Sequence, residues 1–181
     1  MEKHLLICID GVDGTGKSTL AKALSQRYNI PVYSPTFPTK DGERAPREFK
    51  RWSDIVVSDM YAKFGFSLIM DRSFMSACVY EPDLPYKDAL IKKWAENVLT
   101  YGSALHIVLF GSEFSLDVFQ KRKTDFVIPI QTLKEQQRSF LDYAKKFESE
   151  FKIPVARIRS LHSEEEVLRS AIDVIQKSIS L

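Results

Sequence analysis

Cysteine is scarce in this chain of 181 residues, with only Cys8 and Cys78 present and far apart. That excludes a disulfide framework and points to a reducing compartment, with Cys8 as a buried free thiol inside an apolar run. Histidine is sparse too, and His4, His106 and His162 are too scattered for a metal site. Charge of one sign is also lacking. A net charge of +2 leaves no basic surplus, which argues against nucleic acid as a partner. Long apolar runs are missing: residues 5–9 meet an acid at once, too short for a signal-peptide core. No later run approaches the roughly 20 residues that span a bilayer. The expectation is a soluble, cytoplasmic protein with no membrane partner. There is no repeat, no low-complexity tract and no linker, so residues 1–181 read as one domain.

What the chain does have is alternation. Short β-rich apolar runs at 5–10, 30–34, 66–71, 105–110 and 153–159 are separated by amphipathic stretches. The first helix carries Leu20, Ala23, Leu24 and Tyr28 at helical spacing. A second starts near Pro46 with Phe49, Trp52, Ile55, Val56 and Met60 on one face, and Gly65 is its stop. A short helix is expected over 73–80, another over 86–101 with Gly102 as its cap, and another from near Ser115. Two capping-box patterns, Thr132/Glu135 and Ser163/Glu166, are read as opening the last two helices. Strands alternating with helices imply parallel pairing and right-handed crossovers, hence an α/β three-layer sandwich on a five-stranded parallel sheet.

The stretch "ICIDGVDGTGKSTLAKAL" at 7–24 carries the chemistry. Gly11, Gly16, Lys17 and Ser18 complete G-x-x-x-x-G-K-[ST] between an apolar strand and an amphipathic helix. Backbone N–H groups turn inward at the glycines, and the following helix points its positive end at the same place. Lys17 supplies a point charge for the β- and γ-phosphates, and the Ser18 hydroxyl is a ligand for Mg²⁺. Gly11, Asp13, Gly14, Thr15, Gly16, Lys17, Ser18 and Thr19 are therefore the expected ATP-binding residues. Asp71, closing the third strand, is the expected metal-side carboxylate, with Glu113 a weaker competitor.

The destination of the terminal phosphate needs other residues. The guanine-reading N-K-x-D of a GTPase is absent, and the chain is short for a motor or AAA-type ATPase. A small-molecule kinase needs cations around the transferring phosphoryl. Lys40, Arg44, Arg47, Lys50 and Arg51 follow the second strand, Arg72 the third, and Lys121, Arg122 and Lys123 come late.

These motifs together resemble the thymidylate kinase-like nucleotide kinases and, more loosely, the deoxynucleoside kinases. "IDGVDGTGKST" resembles their E-G-x-D-G-x-G-K-[ST]-T loop, with Asp10 in the place of Glu. Phe37-Pro38, Arg51-Trp52, "DRSFMSACVY" at 71–80 and the closing helix resemble further stretches of that family. The resemblance implies a P-loop nucleoside triphosphate hydrolase fold of the nucleotide kinase type, ATP as donor, Mg²⁺ and a role in nucleotide biosynthesis. It implies that Asp13 meets the acceptor sugar, Lys40 and Arg72 clamp its phosphate, and Phe37 and Arg51 frame its base. Gly14 stands where some members carry a catalytic arginine, so Arg122, in a lid-like segment at about 119–131, takes that role beside Lys17 and Arg72. The acceptor expected is a deoxynucleoside monophosphate, thymidylate or a related pyrimidine. Alternatives are a deoxynucleoside, or a hydroxyl of a modified base or polynucleotide end; a regulatory nucleotide binder is a third class. A homodimer through the helix faces at 49–60 and 86–101 also stays open.

Overall fold

The computed structural model describes residues 4–34, 56–58, 60–61, 63–80, 87–101, 103–111, 128–160 and 163–179. Strand β1 (Leu5–Gly11) is apolar at nearly every position because it is covered on both faces. Leu5, Ile7 and Ile9 join one core cluster, while Leu6 and Cys8 join the other. Helix α1 (Lys17–Tyr28) follows, running from Gly16 to a left-handed Asn29 cap. Then come β2 (Val32–Tyr33), β3 (Leu68–Asp71) and the short α2 (Phe74–Tyr80). The chain continues through α3 (Lys87–Tyr101), β4 (Ser103–Phe110), α4 (Ile130–Ser149), β5 (Val155–Arg159) and α5 (Glu164–Ile179).

The strands form one five-stranded sheet in the order β2-β3-β1-β4-β5, with every pairing parallel. One core layer holds Leu20, Leu24, Ile107, Ile158, Ala171 and Ile175, from α1, α5 and the sheet. The other holds Phe74, Ile91, Trp94, Phe140 and Phe147, from α2, α3 and α4. This is the expected three-layer α/β sandwich, and each expected strand lies at its place. The apolar face of α3 built on Ile91, Trp94 and Val98 is buried in that core, and Leu99 is its exposed large apolar side chain.

One boundary is corrected. Thr132 and Glu135 do not open α4: the helix starts at Ile130, behind Pro129, whose carbonyl accepts the Leu133 amide at 3.2 Å. Glu135 instead receives the Gln131 side-chain amide at 2.9 Å, an i,i+4 pair inside the helix. Pro129 sets the entry, having a fixed φ and no N–H to satisfy. Ile130 and Gln131, expected in the lid-like segment, belong to this helix. The Ser163/Glu166 pattern does open α5, with the Glu166 amide donating to Ser163 Oγ at 3.1 Å. Gly65 takes φ 75 where a helix stop was expected, and its amide donates to the Tyr61 carbonyl. The helix expected from Ser115, the Gly102 cap and most of the helix from Pro46 lie outside the described residues.

Candidate active site

Parallel strands put the carboxyl ends of β1 and β3 on one edge of the sheet, where α/β folds bind ligands. The first turn there is the glycine loop, and its shape is imposed by two positions. Gly11 sits so close to β4 that a Cβ would lie 2.3 Å from the Leu109 carbonyl oxygen. Gly16 has φ 86 and open space beyond it, which leaves its backbone accessible at the start of α1. Ser18 and Thr19 are exposed in the first turn of that helix.

Inside the loop, the Val12 carbonyl gathers three donors. It accepts from Thr15 Oγ1 at 2.8 Å, from Lys17 Nζ at 2.7 Å and from the Thr15 amide at 3.4 Å. Just past the end of β5 the Ser160 hydroxyl donates to the Thr15 carbonyl at 2.8 Å, so the far side of the sheet also braces the loop. Lys17 is buried. Burial above all, then the Arg72 guanidinium, push its pKa down to about 7, against the pull of Asp13, Asp71 and Asp10.

The second turn, after β3, brings in Asp71 and Arg72. Arg72 holds φ 79, a left-handed backbone that costs a non-glycine residue about 1–3 kcal/mol. Its guanidinium donates to Asp13 Oδ1 at 2.5 Å and passes 5.7 Å from the centre of the Tyr80 ring. Tyr80 itself packs edge-on against Phe140, and burial first of all raises its hydroxyl to about 12. Lys17 Nζ stands 3.9 Å from the same Asp13 oxygen. One carboxylate therefore lies between two cations at the mouth of the loop.

Asp71 is buried, and among the described residues its Oδ1 has no hydrogen-bond partner. A buried carboxylate oxygen left unpaired is costly unless something else meets it. Together with the Ser18 hydroxyl it makes an all-oxygen donor set that fits Mg²⁺, which keeps several waters and takes few protein ligands.

Of the expected site residues, Gly11, Asp13, Gly14, Thr15, Gly16, Lys17, Ser18, Thr19, Asp71 and Arg72 are brought together at this edge. Phe37, Lys40, Arg51, Glu113 and Arg122, with Lys121 and Lys123, lie outside the described residues. Sequence reasoning missed the floor of the site. Asp10, Ser73, Ser76 and His106 are all buried beneath the loop. The signal was there: an acid and a histidine inside apolar strands, and two serines beside the Asp-Arg pair.

A five-stranded parallel sheet of this order, with the glycine loop between β1 and α1, is the P-loop fold of the nucleotide-kinase type. No family model matches the chain. Among curated proteins it is similar to a cytidylate kinase of Lawsonia intracellularis, 24% identical over 163 residues, covering 81% of this chain and 72% of that protein. Among solved structures it is similar to the YorR protein of Bacillus subtilis in complex with phosphorylated GDP. That likeness has a TM-score of 0.66 at 14% identity, covering 94% of this chain and 95% of that one. A thymidylate kinase from Candida albicans superposes with a TM-score of 0.62 at 16% identity, over 97% and 92% of the two chains. A gluconokinase from Sinorhizobium meliloti gives 0.62 at 15% identity, over 97% and 93%. Among the described residues, no helix is long and apolar enough to cross a membrane.

Proposed function

We propose that this chain is an ATP- and Mg²⁺-dependent kinase that phosphorylates a nucleoside monophosphate, with thymidylate or a related deoxypyrimidine nucleotide as acceptor. The observation that carries the reading is the Arg72 guanidinium, fixed at the mouth of the glycine loop beside Asp13 and Lys17. A monophosphate acceptor already presents an oxyanion, so it needs cations rather than a general base. Two cations converging on one point meet that need.

The roles follow from charge. Backbone amides of residues 11–19 hold the donor phosphates, and Lys17 leaves the Val12 carbonyl for the β/γ side. Arg72, with Lys40, holds the acceptor phosphate in line; Phe37 and Arg51 frame its base, and Asp13 meets the sugar. Arg122 supplies the further cation that the transferring phosphoryl needs. Ser18, and Asp71 through water, would hold Mg²⁺, which would supply charge neutralisation at the donor oxygens. No covalent intermediate is needed. Catalysis is positioning and charge neutralisation.

A second reading is transfer to a hydroxyl, of a deoxynucleoside or of a modified base or polynucleotide end. It draws on Asp13, a carboxylate at the loop mouth able to orient an alcohol. One screen separates the readings: ATP and Mg²⁺ with each nucleoside and each monophosphate, scored by ADP release and product mass. Turnover with a pyrimidine monophosphate is the expected result. Turnover with nucleosides alone would replace it with the second reading. Release of ADP that no small acceptor stimulates, but a protein does, would favour a regulatory nucleotide binder.

A further inference from the structure

Beneath the loop lies a carboxylate with no part in the roles above. Asp10 is fully buried near the end of β1. Its Oδ1 accepts from the Ser73 amide at 3.0 Å and from Ser76 Oγ at 2.7 Å, and its Oδ2 accepts from Ser73 Oγ at 2.6 Å. A carboxylate offers roughly four acceptor sites. The remaining side faces His106 Nδ1 at 3.5 Å. His106 is held edge-on to Trp94, with ring centres 5.4 Å apart, and tilted against Phe147 at 4.9 Å. Each of these polar neighbours is a donor or can be one. Burial pushes its pKa up, but His106, Ser73 and Ser76 outweigh that and hold it below its ordinary value.

These bonds converge on one corner of the chain. The Arg72 amide donates to the Ile9 carbonyl at 3.0 Å, and the next amide, of Ser73, goes to Asp10. Ser73 Oγ also accepts the Met75 amide at 3.2 Å, within the first turn of α2. Arg72 is thus tethered on both sides to consecutive residues of β1, and between the tethers it takes φ 79. Without the Ser73 tether, nothing intrinsic to an arginine keeps it in the left-handed region. Relaxed to an ordinary φ, the side chain would leave Asp13.

We infer that Asp10 is a positioning residue for Arg72: its carboxylate, held by Ser76, fixes Ser73 so that the preceding residue keeps the turn that aims its guanidinium at Asp13. The kinetic consequence rests on the phosphoryl-transfer reading, whereas the structural consequence does not. The device is built from chain-distant parts, a β1 acid and a β3–α2 corner, which also couples the loop to the acceptor side.

The test uses the full chain carrying Asp10→Asn, which keeps the size but leaves one acceptor oxygen and, in either orientation, sets an amide N–H₂ against a serine hydroxyl that now donates to Asp10. The first readout is the Arg72 Nε–Hε resonance in ¹⁵N-labelled protein, assigned by its loss in Arg72→Lys. It is expected to stand apart in the wild type and to collapse into the exposed-arginine envelope in Asp10→Asn. The second is a double-mutant cycle on kcat with Arg72→Ala. Because Asp10 acts through Arg72, the double variant should be within about twofold of Arg72→Ala alone. An unchanged Arg72 resonance in folded Asp10→Asn, or effects on kcat that multiply, overturns the inference. Should Asp10→Asn fail to fold, Ser76→Ala decides: it keeps the charge, removes one bond and should shift the same resonance. No shift there overturns the inference as well. If the wild type transfers phosphate to no acceptor, the kinase reading falls and the resonance alone judges Asp10.

Discussion

The Lys17 ammonium donates to the Val12 carbonyl at 2.7 Å, within the very loop whose phosphates it is expected to meet. Buried there and close to Arg72, it has a pKa of about 7 in place of the ordinary 10.5. The folded value lies below the unfolded one, so the unfolded chain binds more protons between those two pH values. This group therefore makes stability rise with pH through that window, the unliganded fold gaining as the ammonium is lost.

Triphosphate oxygens reverse the situation by supplying negative charge. The ammonium pKa then rises on binding, and above about pH 7 each binding event takes up as much as one proton. Affinity for the triphosphate should weaken as pH rises, by at most about tenfold per unit. Calorimetry in buffers of different ionisation enthalpy reads this uptake directly. Lys17→Met should abolish it, and an uptake that survives would place the proton elsewhere.

Arg72→Ala removes the cation beside Asp13 without emptying the core, since the side chain is only partly buried. Losing the arginine that holds the attacking acceptor phosphate in line misplaces the nucleophile, which costs on the order of 10²-fold or more in kcat. That loss is expected here with every acceptor, while circular dichroism and the thermal midpoint stay near the wild type. Lys17→Ala should be as inactive. Near-normal turnover in Arg72→Ala would end the clamp assignment.

Asp71→Asn addresses the metal side. Among the described residues Oδ1 has no hydrogen bond to lose, and the desolvation cost of the buried charge offsets its attraction to Lys17, so Asp71→Asn should change stability little. The concentration of Mg²⁺ needed for half-maximal turnover should rise by about tenfold or more if this carboxylate orders the ion's shell. A Mg²⁺ titration of kcat at saturating ATP measures it; an unchanged midpoint would shift attention to the weaker candidate, Glu113.

Much of the fold was legible because both signals it rests on are local. The apolar runs of β1 and β4 are nearly unbroken since each is buried on both faces, and such a run between turn residues is easy to see. The glycine loop was legible for the same reason: its residues are neighbours in the chain. The floor of the site was not. Asp10 and His106 sit on adjacent strands with more than ninety residues between them in sequence, paired only by the sheet. Nor could spacing reveal that Arg72 would be left-handed, because that strain is set by Ile9 and Asp10 across the sheet. The misplaced start of α4 is of another kind. A real S/T-x-x-E pattern lost to a proline three residues earlier, whose carbonyl already served as the first acceptor.

Gly11→Ala should be among the most damaging single changes in the loop. The added Cβ would fall 2.3 Å from the Leu109 carbonyl, a backbone atom that cannot rotate away. Relief requires β1 and β4 to part at the point where the loop begins, and the φ of 139 is itself unfavourable for alanine. A loss of about 2–4 kcal/mol in urea unfolding is expected. Gly16→Ala has open space around its Cβ and should cost less stability, its damage falling on phosphate binding instead.

The two serine/threonine–glutamate patterns make a paired prediction about caps. Ser163 Oγ accepts the Glu166 amide at 3.1 Å, in a first turn that also carries Glu164 and Glu165. Losing such a cap typically costs about 1 kcal/mol, so Ser163→Ala should lower the urea midpoint by a corresponding amount with an unchanged m-value. Thr132 lies inside α4, two residues past its start, where its hydroxyl caps nothing. Alanine is the better helix former at such a site, so Thr132→Ala should be neutral or stabilising by up to about 0.5 kcal/mol. Were Thr132→Ala instead as costly as Ser163→Ala, the start of α4 would lie at Thr132 after all, and the role given to Pro129 would be wrong.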